Sequence, residues 1–313
     1  MNALITQSDA ARQRDARAIV QLVQDGLTSA NSKRAYGKAL DSFFDWWNAQ
    51  PSDRTGRPTL NKATVQNYKA MLQARGLAPS SINQHLSAIR KLAAEAADNG
   101  YLDSTIASGI SKIKGEKQAG VRAGNWLSKE QAQALLHAPH LSTLKGLRDR
   151  AILAVMLGAG LRRSEVAALT FENIAQRDAR WVIVDLVGKG NRVRSVPIPS
   201  WTKQAIDEWA DRAHLSSAHV FRSIHKGNFL TGDSMTAQAI RDVVKEYGDA
   251  LGLGIAAHDL RRTFAKLAHK GGAGLDQIQL SLGHASIKTT ERYLGVQQNL
   301  HDAPCDHLGL NMG

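Results

Sequence analysis

The sequence predicts a mainly α-helical protein of two domains, with a small antiparallel β-sheet in the second domain. Across residues 17–110, apolar side chains recur at three- and four-residue steps, which is typical of amphipathic helices. One β-rich run at 181–187 is followed by a turn and by an alternating segment at 193–199. A change of composition at 111–124 separates the two regions.

Length, charge and cysteine content limit the class of protein. A chain of 313 residues can build two cores, and a hydrophobic content of 43% is ordinary for a globular protein. The net charge of +12 favours a polyanionic partner, nucleic acid first, over a basic surface that serves solubility alone. Cys305 is the single cysteine, so neither an intrachain disulfide nor a multi-cysteine zinc site can form. The polar start and the lack of a long apolar run predict a cytoplasmic protein with no membrane span.

Residues 17–110 should form a helical first domain after a flexible N-terminus at 1–16. Helices are predicted from Arg17, over about 32–48 and 62–74, and from a cap at Ser80 or Ser81 to about Gly100. Basic residues, including Arg90 and Lys91, lie on their polar sides. These are either a solvated face or a surface laid against a DNA backbone, and the sequence leaves both open.

Residues 111–124 read as a basic linker, because they contain glycines and cations and few apolar side chains. Its basic side chains could follow a phosphate backbone between the domains. They are Lys112, Lys114, Lys117 and Arg122.

The second domain begins with a capping box, Ser128 with Gln131, before a first helix, and an apolar helix is predicted at 147–157. GLRRSE at 160–165 then places Arg162 in a turn at a helix start, where amide N–H groups also favour an anion. By itself, this segment is more typical of an arginine pair on a solvated turn.

A β-hairpin is predicted next, with GKGN as its turn and Lys189 at its tip, either for solubility or as a mobile cation. An amphipathic helix follows, with Trp201, Ala205 and Trp209 expected in the core, and then a helix over about 236–251.

The C-terminal stretch carries two histidines, an arginine and a tyrosine among short helices. His258 precedes a helix that Asp259 can begin, with Arg261 in the first turn. His284 follows a helix at about 275–282, and Tyr293 lies near the end of a last helix at 287–294. Each of these residues, taken alone, is more often structural.

Together these segments resemble the signatures of the tyrosine recombinases, the phage-integrase family. The segments are GLRRSE (160–165), GKGN (188–191), HDLRRTFA (258–265), LGH (282–284) and TTERYLG (289–295), in the family's order. The chain is most similar to the simple two-domain type of the Xer recombinases. The resemblance implies a core-binding, SAM-like DNA-binding domain at 17–110, a catalytic domain of mixed α/β structure at 125–300 and a C-terminal tail at 301–313.

Carried over position by position, the resemblance implies a catalytic set drawn from distant segments. Arg162 and Arg261 match the two arginines, and Glu165 is a supporting carboxylate. Tyr293 matches the nucleophile. The remaining matches are the hairpin lysine, the first histidine and the second histidine position, which are Lys189, His258 and His284.

The implied activity is site-specific DNA recombination. Tyr293 would form a 3′-phosphotyrosyl bond that keeps the energy of the broken phosphodiester, so the reaction needs no ATP, metal or other cofactor. The resemblance also implies double-stranded DNA with specific sites, a homotetramer, a Holliday junction, and a tail that packs into a neighbouring subunit. Accessory DNA-bending proteins and a nucleoid location in a bacterium remain expectations.

Two other functions fit parts of the sequence. A type IB topoisomerase-like enzyme has a similar site, but the helical first domain and the Arg162 segment favour a recombinase. A non-catalytic DNA-binding regulator on the same fold is disfavoured by the full set of seven residues.

Overall fold

A computed structural model describes residues 18–50, 59–117, 125–188 and 192–294, except for the side chains of Arg292 and Tyr293. The chain forms two compact units that divide between residues 121 and 122. Helices dominate both units, and the second contains a small antiparallel sheet. The predicted fold class is therefore confirmed. Among the described helices, none combines the length and apolar character that crossing a bilayer requires.

The first unit contains five helices in its described residues. They are α1 (18–25), α2 (Ala30–Asn48), α3 (Lys62–Ala74), α4 (Pro79–Asp98) and α5 (Ser104–Ser111). Polar caps begin two of them: Asn61 Oδ1 accepts a hydrogen bond from Thr64 N at 3.0 Å, and Asp103 Oδ1 accepts one from Thr105 N at 2.7 Å. Helix α5 was not predicted, because Ile106 and Ile110 are its only large apolar side chains.

The start of α4 differs from its prediction. Ala78 is the residue before the helix and Pro79 is its first residue, so Ser80 and Ser81 lie inside the first turn. Proline suits this position, because its missing N–H would have no intrahelical partner there.

The core of the first unit is apolar and centred on α2, α3 and α4. Phe43 and Tyr68 are fully buried and meet edge to face, with ring centroids 5.0 Å apart. The Tyr68 hydroxyl donates to Ser42 Oγ at 3.0 Å, which satisfies its polar end.

The chain after α5 is held against the same helices. Lys69 Nζ donates to the Lys114 carbonyl at 3.0 Å, and Asn83 exchanges hydrogen bonds of 2.9 and 2.7 Å with the Glu116 backbone. Ile113 is buried between them. This part of the predicted linker therefore packs on the first unit, while residues 118–124 lie outside the described residues.

The second unit contains eight further helices in its described residues. They are α6 (Lys129–His137), α7 (Leu144–Gly158), α8 (Arg163–Ala168), α9 (Ser200–Ala213), α10 (Ala237–Ala250), α11 (Ala257–Lys270), α12 (Leu275–Leu282) and α13 (Ile287–Leu294). The capping box before α6 is present as predicted, with Gln131 N donating to Ser128 Oγ and Ser128 N to Gln131 Oε1.

The core of this unit surrounds α7, which is buried along most of its length. Trp209 of α9 packs there at 0% exposure, and its indole N–H donates to the Val220 carbonyl at 2.8 Å. Trp201 was also expected in the core, but it is 44% exposed. It lies in the first turn of α9, with its ring beside Gly158, the last residue of α7, so it borders the core and does not enter it.

The sheet has the strand order β1 (Ile174–Arg177), β2 (Arg180–Val187), β3 (Val193–Pro197), all antiparallel. The hairpin of β2 and β3 was predicted, whereas β1 and a two-stranded ribbon, β4 (Ser223–Ile224) with β5 (Leu230–Thr231), were not. Strands this short are difficult to detect by alternation.

Candidate active site

Arg162 stands immediately before α8, in the turn where the sequence placed it. Glu165 reaches back to it twice: Oε2 accepts from the Arg162 backbone N–H at 2.8 Å, and Oε1 accepts from Nη1 at 2.7 Å. The Arg162 side chain keeps 28% exposure, whereas Glu165 is buried. The carboxylate therefore fixes both the backbone and the guanidinium of Arg162.

Arg194, which binds the other side of Glu165, was not among the residues predicted from the sequence. Its Nη1 and Nη2 donate to Oε1 and Oε2 at 3.0 and 2.8 Å, a bidentate pair. Burial alone would raise the pKa of Glu165, but the hydrogen bonds from Arg194 and Arg162 outweigh it and lower that pKa. A signal existed: Arg194 shares the inward-facing side of the β3 segment with Val196 and Ile198, which are buried.

Arg261 joins two of the predicted segments. Its Nη1 donates to the Gly160 carbonyl at 2.6 Å, two residues before Arg162, and its Nη2 donates to the Leu282 carbonyl, two residues before His284. The residue is 1% exposed and lies in the second turn of α11, not in the first as predicted. The helix begins earlier, at Ala257, because Asp259 caps it from its third position by accepting from Ala256 N.

Gly160 is required at this point of the fold. Its φ is +61°, and a Cβ there would lie 2.5 Å from Phe264 Cδ1. We expect Gly160→Ala to lower the free energy of unfolding by roughly 1–2 kcal/mol through backbone strain and by roughly 1–3 kcal/mol more through the clash. Gly252→Ala is the matched control, because Gly252 also has a positive φ, +65°, but nothing lies within 4 Å of its Cβ position. Urea unfolding of both variants measures the difference; equal losses would contradict the clash.

Both candidate histidines have lowered pKa values. Burial, then the charges of Arg262 and Arg261, lowers the pKa of His258, although Asp259 opposes this. Burial, then the charges of Arg261 and Arg162, lowers the pKa of His284 to about 4. Both imidazoles are therefore neutral at neutral pH, so each ring has one N–H donor and one acceptor nitrogen.

Acid should destabilise the fold through His284. Its pKa is near 6.5 in the unfolded chain and about 4 in the folded protein, so the unfolded chain binds more protons between these values. We expect stability to fall as pH falls from 7.5 to 5.5, by about 1 kcal/mol or less for a half-exposed ring. Urea unfolding at both pH values should show a smaller change for His284→Asn. His137→Asn replaces an exposed ring of α6 and should keep the full change in stability. An equal change in stability in both variants would contradict His284 as its origin.

The candidate residues surround one cleft of about 360 Å³. Arg162, His258 and Arg261 line it, together with the cations Arg163 and Arg241. His284 lies next to this group, because the charges of Arg162, Arg261 and His258 all act on its ring. Glu165 binds Arg162 and is the fifth member of this group. Five of the seven predicted residues are thus brought together.

The other two residues fall outside what the structure describes. Lys189 lies in the undescribed turn 189–191, and the side chain of Tyr293 is also outside, although its backbone belongs to α13. That helix is anchored near the site: the buried Thr290 hydroxyl lies 2.9 Å from His284 Nδ1, and Lys266 Nζ donates to the Leu294 carbonyl.

The proposed DNA-contacting cations differ in their surroundings. Lys112, Lys114 and Lys117 are exposed, and Lys91 pairs with Glu95 at 3.0 Å. Arg90 instead donates to the Ile113 carbonyl, which gives it a packing role. Arg122 lies outside the described residues.

Two family models match this chain. The model of the phage integrase family covers residues 125–299, and the model of the phage integrase N-terminal SAM-like domain covers residues 21–100.

Named relatives match over most of their length. A tyrosine recombinase of Synechococcus elongatus is 26% identical over 309 residues, which covers 94% of this chain and 94% of the relative. Tyrosine recombinase XerC of Xanthomonas campestris pv. campestris is 28% identical over 268 residues, covering 85% of this chain and 78% of the relative.

Solved structures share the fold. XerH site-specific recombinase bound to a palindromic difH substrate has a TM-score of 0.66 at 18% identity, covering 85% of this chain and 76% of that chain. A lambda integrase dimer bound to a core site also has a TM-score of 0.66, at 13% identity, covering 90% and 97%.

Proposed function

The chain belongs to the phage integrase family, and from this premise we propose that it is a site-specific recombinase that cuts and rejoins DNA strands through Tyr293. The observation that carries the proposal is the convergence of Arg162, His258 and Arg261 on one cleft, with His284 beside them. A phosphodiester is an anion, and such a cluster of guanidinium and imidazole groups is suited to bind one.

In the proposed reaction, the arginines stabilise the charge that develops on the phosphate. Attack on phosphorus concentrates negative charge on the two non-bridging oxygens, and a planar guanidinium can offer each a pair of N–H donors. His284, whose Nδ1 lies 2.9 Å from the Thr290 hydroxyl, would add a third donor. Each such donor is typically worth about 10²–10³ in rate.

The protons move between side chains of this chain. The Tyr293 hydroxyl, which as a free phenol has a pKa of about 10, passes its proton to His258 as its oxygen bonds to phosphorus. The bond from phosphorus to the 5′-oxygen breaks, and Lys189 donates a proton to that oxygen. A 5′-hydroxyl of a partner duplex then reverses both steps, so joining needs neither ATP nor a metal.

We extend this proposal to the assembly. A homotetramer on two synapsed sites would exchange the strands in two rounds through a Holliday junction. The predicted core-binding domain at 17–110 would bind the core DNA, and exposed lysines of the 111–124 segment would follow the DNA backbone. The tail at 301–313 lies outside the described residues, and its docking in a neighbouring subunit stays a proposal, as do accessory proteins and a bacterial cytoplasmic, nucleoid-associated location.

A covalent capture experiment tests the function without a known target site. The purified chain is incubated with a library of nicked duplexes, in which the short fragment that carries the released 5′-hydroxyl diffuses away after cleavage, so that religation is prevented. Adducts are isolated under denaturing conditions and the attached 3′ ends are sequenced. A recombinase should yield one recurring sequence; a topoisomerase-like enzyme should yield scattered sequences and relax supercoiled DNA as a monomer; a regulator should yield no adduct.

A further inference from the structure

Arg194 lies outside the lining of the cleft, but it binds two segments that carry site residues. Besides its bidentate pair with Glu165, its Nε donates to the Ser281 carbonyl at 2.9 Å. The side chain is 9% exposed, so all three nitrogen atoms are directed into protein. Glu165 leads to Arg162, and Ser281 lies three residues before His284.

The glycines around Arg194 show how closely the backbone is fitted to it. Gly283, the residue before His284, has a φ of +62°, and a Cβ there would lie 3.0 Å from Arg194 Cδ. At Gly188, the residue before Lys189, a Cβ would lie 3.3 Å from Arg194 Nη1. The guanidinium therefore packs against the backbone next to His284 and next to Lys189.

We propose that Arg194 is a positioning residue that sets Arg162, His284 and the base of the Lys189 hairpin in register around the scissile phosphate. This deepens the function proposed above and rests on it. A guanidinium suits the task, because its planar fork can bind a carboxylate in one direction and a carbonyl in another at fixed angles. A lysine ammonium is a point donor on a flexible stem and cannot keep both contacts in this geometry.

The test compares single-turnover adduct formation by wild type, Arg194→Lys and Arg194→Met on the captured sequence. A 1 Å misplacement of a catalytic group can cost about 10²-fold, and we expect Arg194→Met to lose about that much with DNA binding unchanged. Arg194→Lys should stay clearly slower than wild type although it keeps the charge. Arg180→Met is the matched control, because Arg180 is an exposed arginine of the same sheet, and it should retain wild-type cleavage.

A substrate with a methylphosphonate at the scissile position separates positioning from general damage. Its phosphorus carries no negative charge, so the guanidinium of Arg162 contributes less to its cleavage. If Arg194 acts by placing Arg162, the ratio of the wild-type rate to the Arg194→Met rate should be smaller on this substrate than on the ordinary phosphate. It should approach the ratio of the wild-type rate to the Arg162→Ala rate on the same substrate. An unchanged ratio, or wild-type cleavage of the ordinary phosphate by Arg194→Met, would overturn the proposal.

A variant that fails to fold can be distinguished from a variant that folds and cleaves slowly. Removing Arg194 alone leaves a buried carboxylate without its bidentate partner, which can unfold the protein. In that case Arg194→Lys carries the comparison, since its ammonium keeps a positive charge beside Glu165 and Glu165 itself is unchanged. Failure of the wild type to form any adduct would refute the proposed recombinase, whereas failure of the ratio to change would refute Arg194 alone.

Discussion

Tyr293→Phe is expected to abolish the covalent protein–DNA adduct while leaving DNA binding unchanged. The substitution removes one hydroxyl oxygen, which in the proposed reaction is the atom that bonds to phosphorus, and the phenyl ring that remains has no nucleophilic atom. The measurement is adduct formation on the captured nicked duplex, resolved on a denaturing gel, with binding followed by fluorescence anisotropy. An adduct that persists in this variant would refute Tyr293 as the nucleophile.

Tyr247 provides the matched control. Tyr247 and Tyr293 are the tyrosines of residues 125–313, and the Tyr247 hydroxyl donates to the buried Asp149 at 3.1 Å. Tyr247→Phe should lower stability by about 1.5–3 kcal/mol, the usual net contribution of a hydrogen bond to a charged group, and should still form the adduct. Loss of the adduct in both variants would show that the assay reports folding rather than chemistry.

Arg261→Ala is expected to lose both cleavage and stability. Cleavage should fall by about 10²–10³, because a phosphate-stabilising donor is removed. Stability should fall as well, since the buried carbonyls of Gly160 and Leu282 lose their donor, at about 1–3 kcal/mol for each unsatisfied group. Single-turnover cleavage and urea unfolding of the same preparation measure the two losses.

Arg162→Ala separates these two effects. Arg162 is 28% exposed, and Glu165 keeps its bidentate pair with Arg194 when Arg162 is removed. Its cleavage should fall as far as that of Arg261→Ala while its stability changes little. Wild-type stability of Arg261→Ala would contradict its proposed role as the link between the Gly160 and Leu282 segments.

The helical elements were largely predictable because their signals are local. The Ser128–Gln131 capping box, the apolar run of α7 and the GKGN hairpin lie within a few residues of the structure they specify. Elements of two residues, such as β4, were missed because so short a segment cannot show alternation, and α5 was missed because its eight residues, STIASGIS, contain only two large apolar side chains. Trp201 was placed in the core because periodicity indicates a face of a helix but not where the neighbouring helix ends, and the Trp201 ring lies beside Gly158, the last residue of α7.

By itself, the sequence determined the fold class, the family resemblance and the identity of six proposed catalytic side chains, since each signature segment is contiguous in the chain. Only the tertiary structure decided how five of the seven proposed residues meet at one site, because Arg261 binds carbonyls 101 and 21 residues away. It also revealed Arg194, whose partners Glu165 and Ser281 are 29 and 87 residues away. A buried ion pair is satisfied by atoms distant in sequence, and no local pattern specifies which strand and which helix end will supply them.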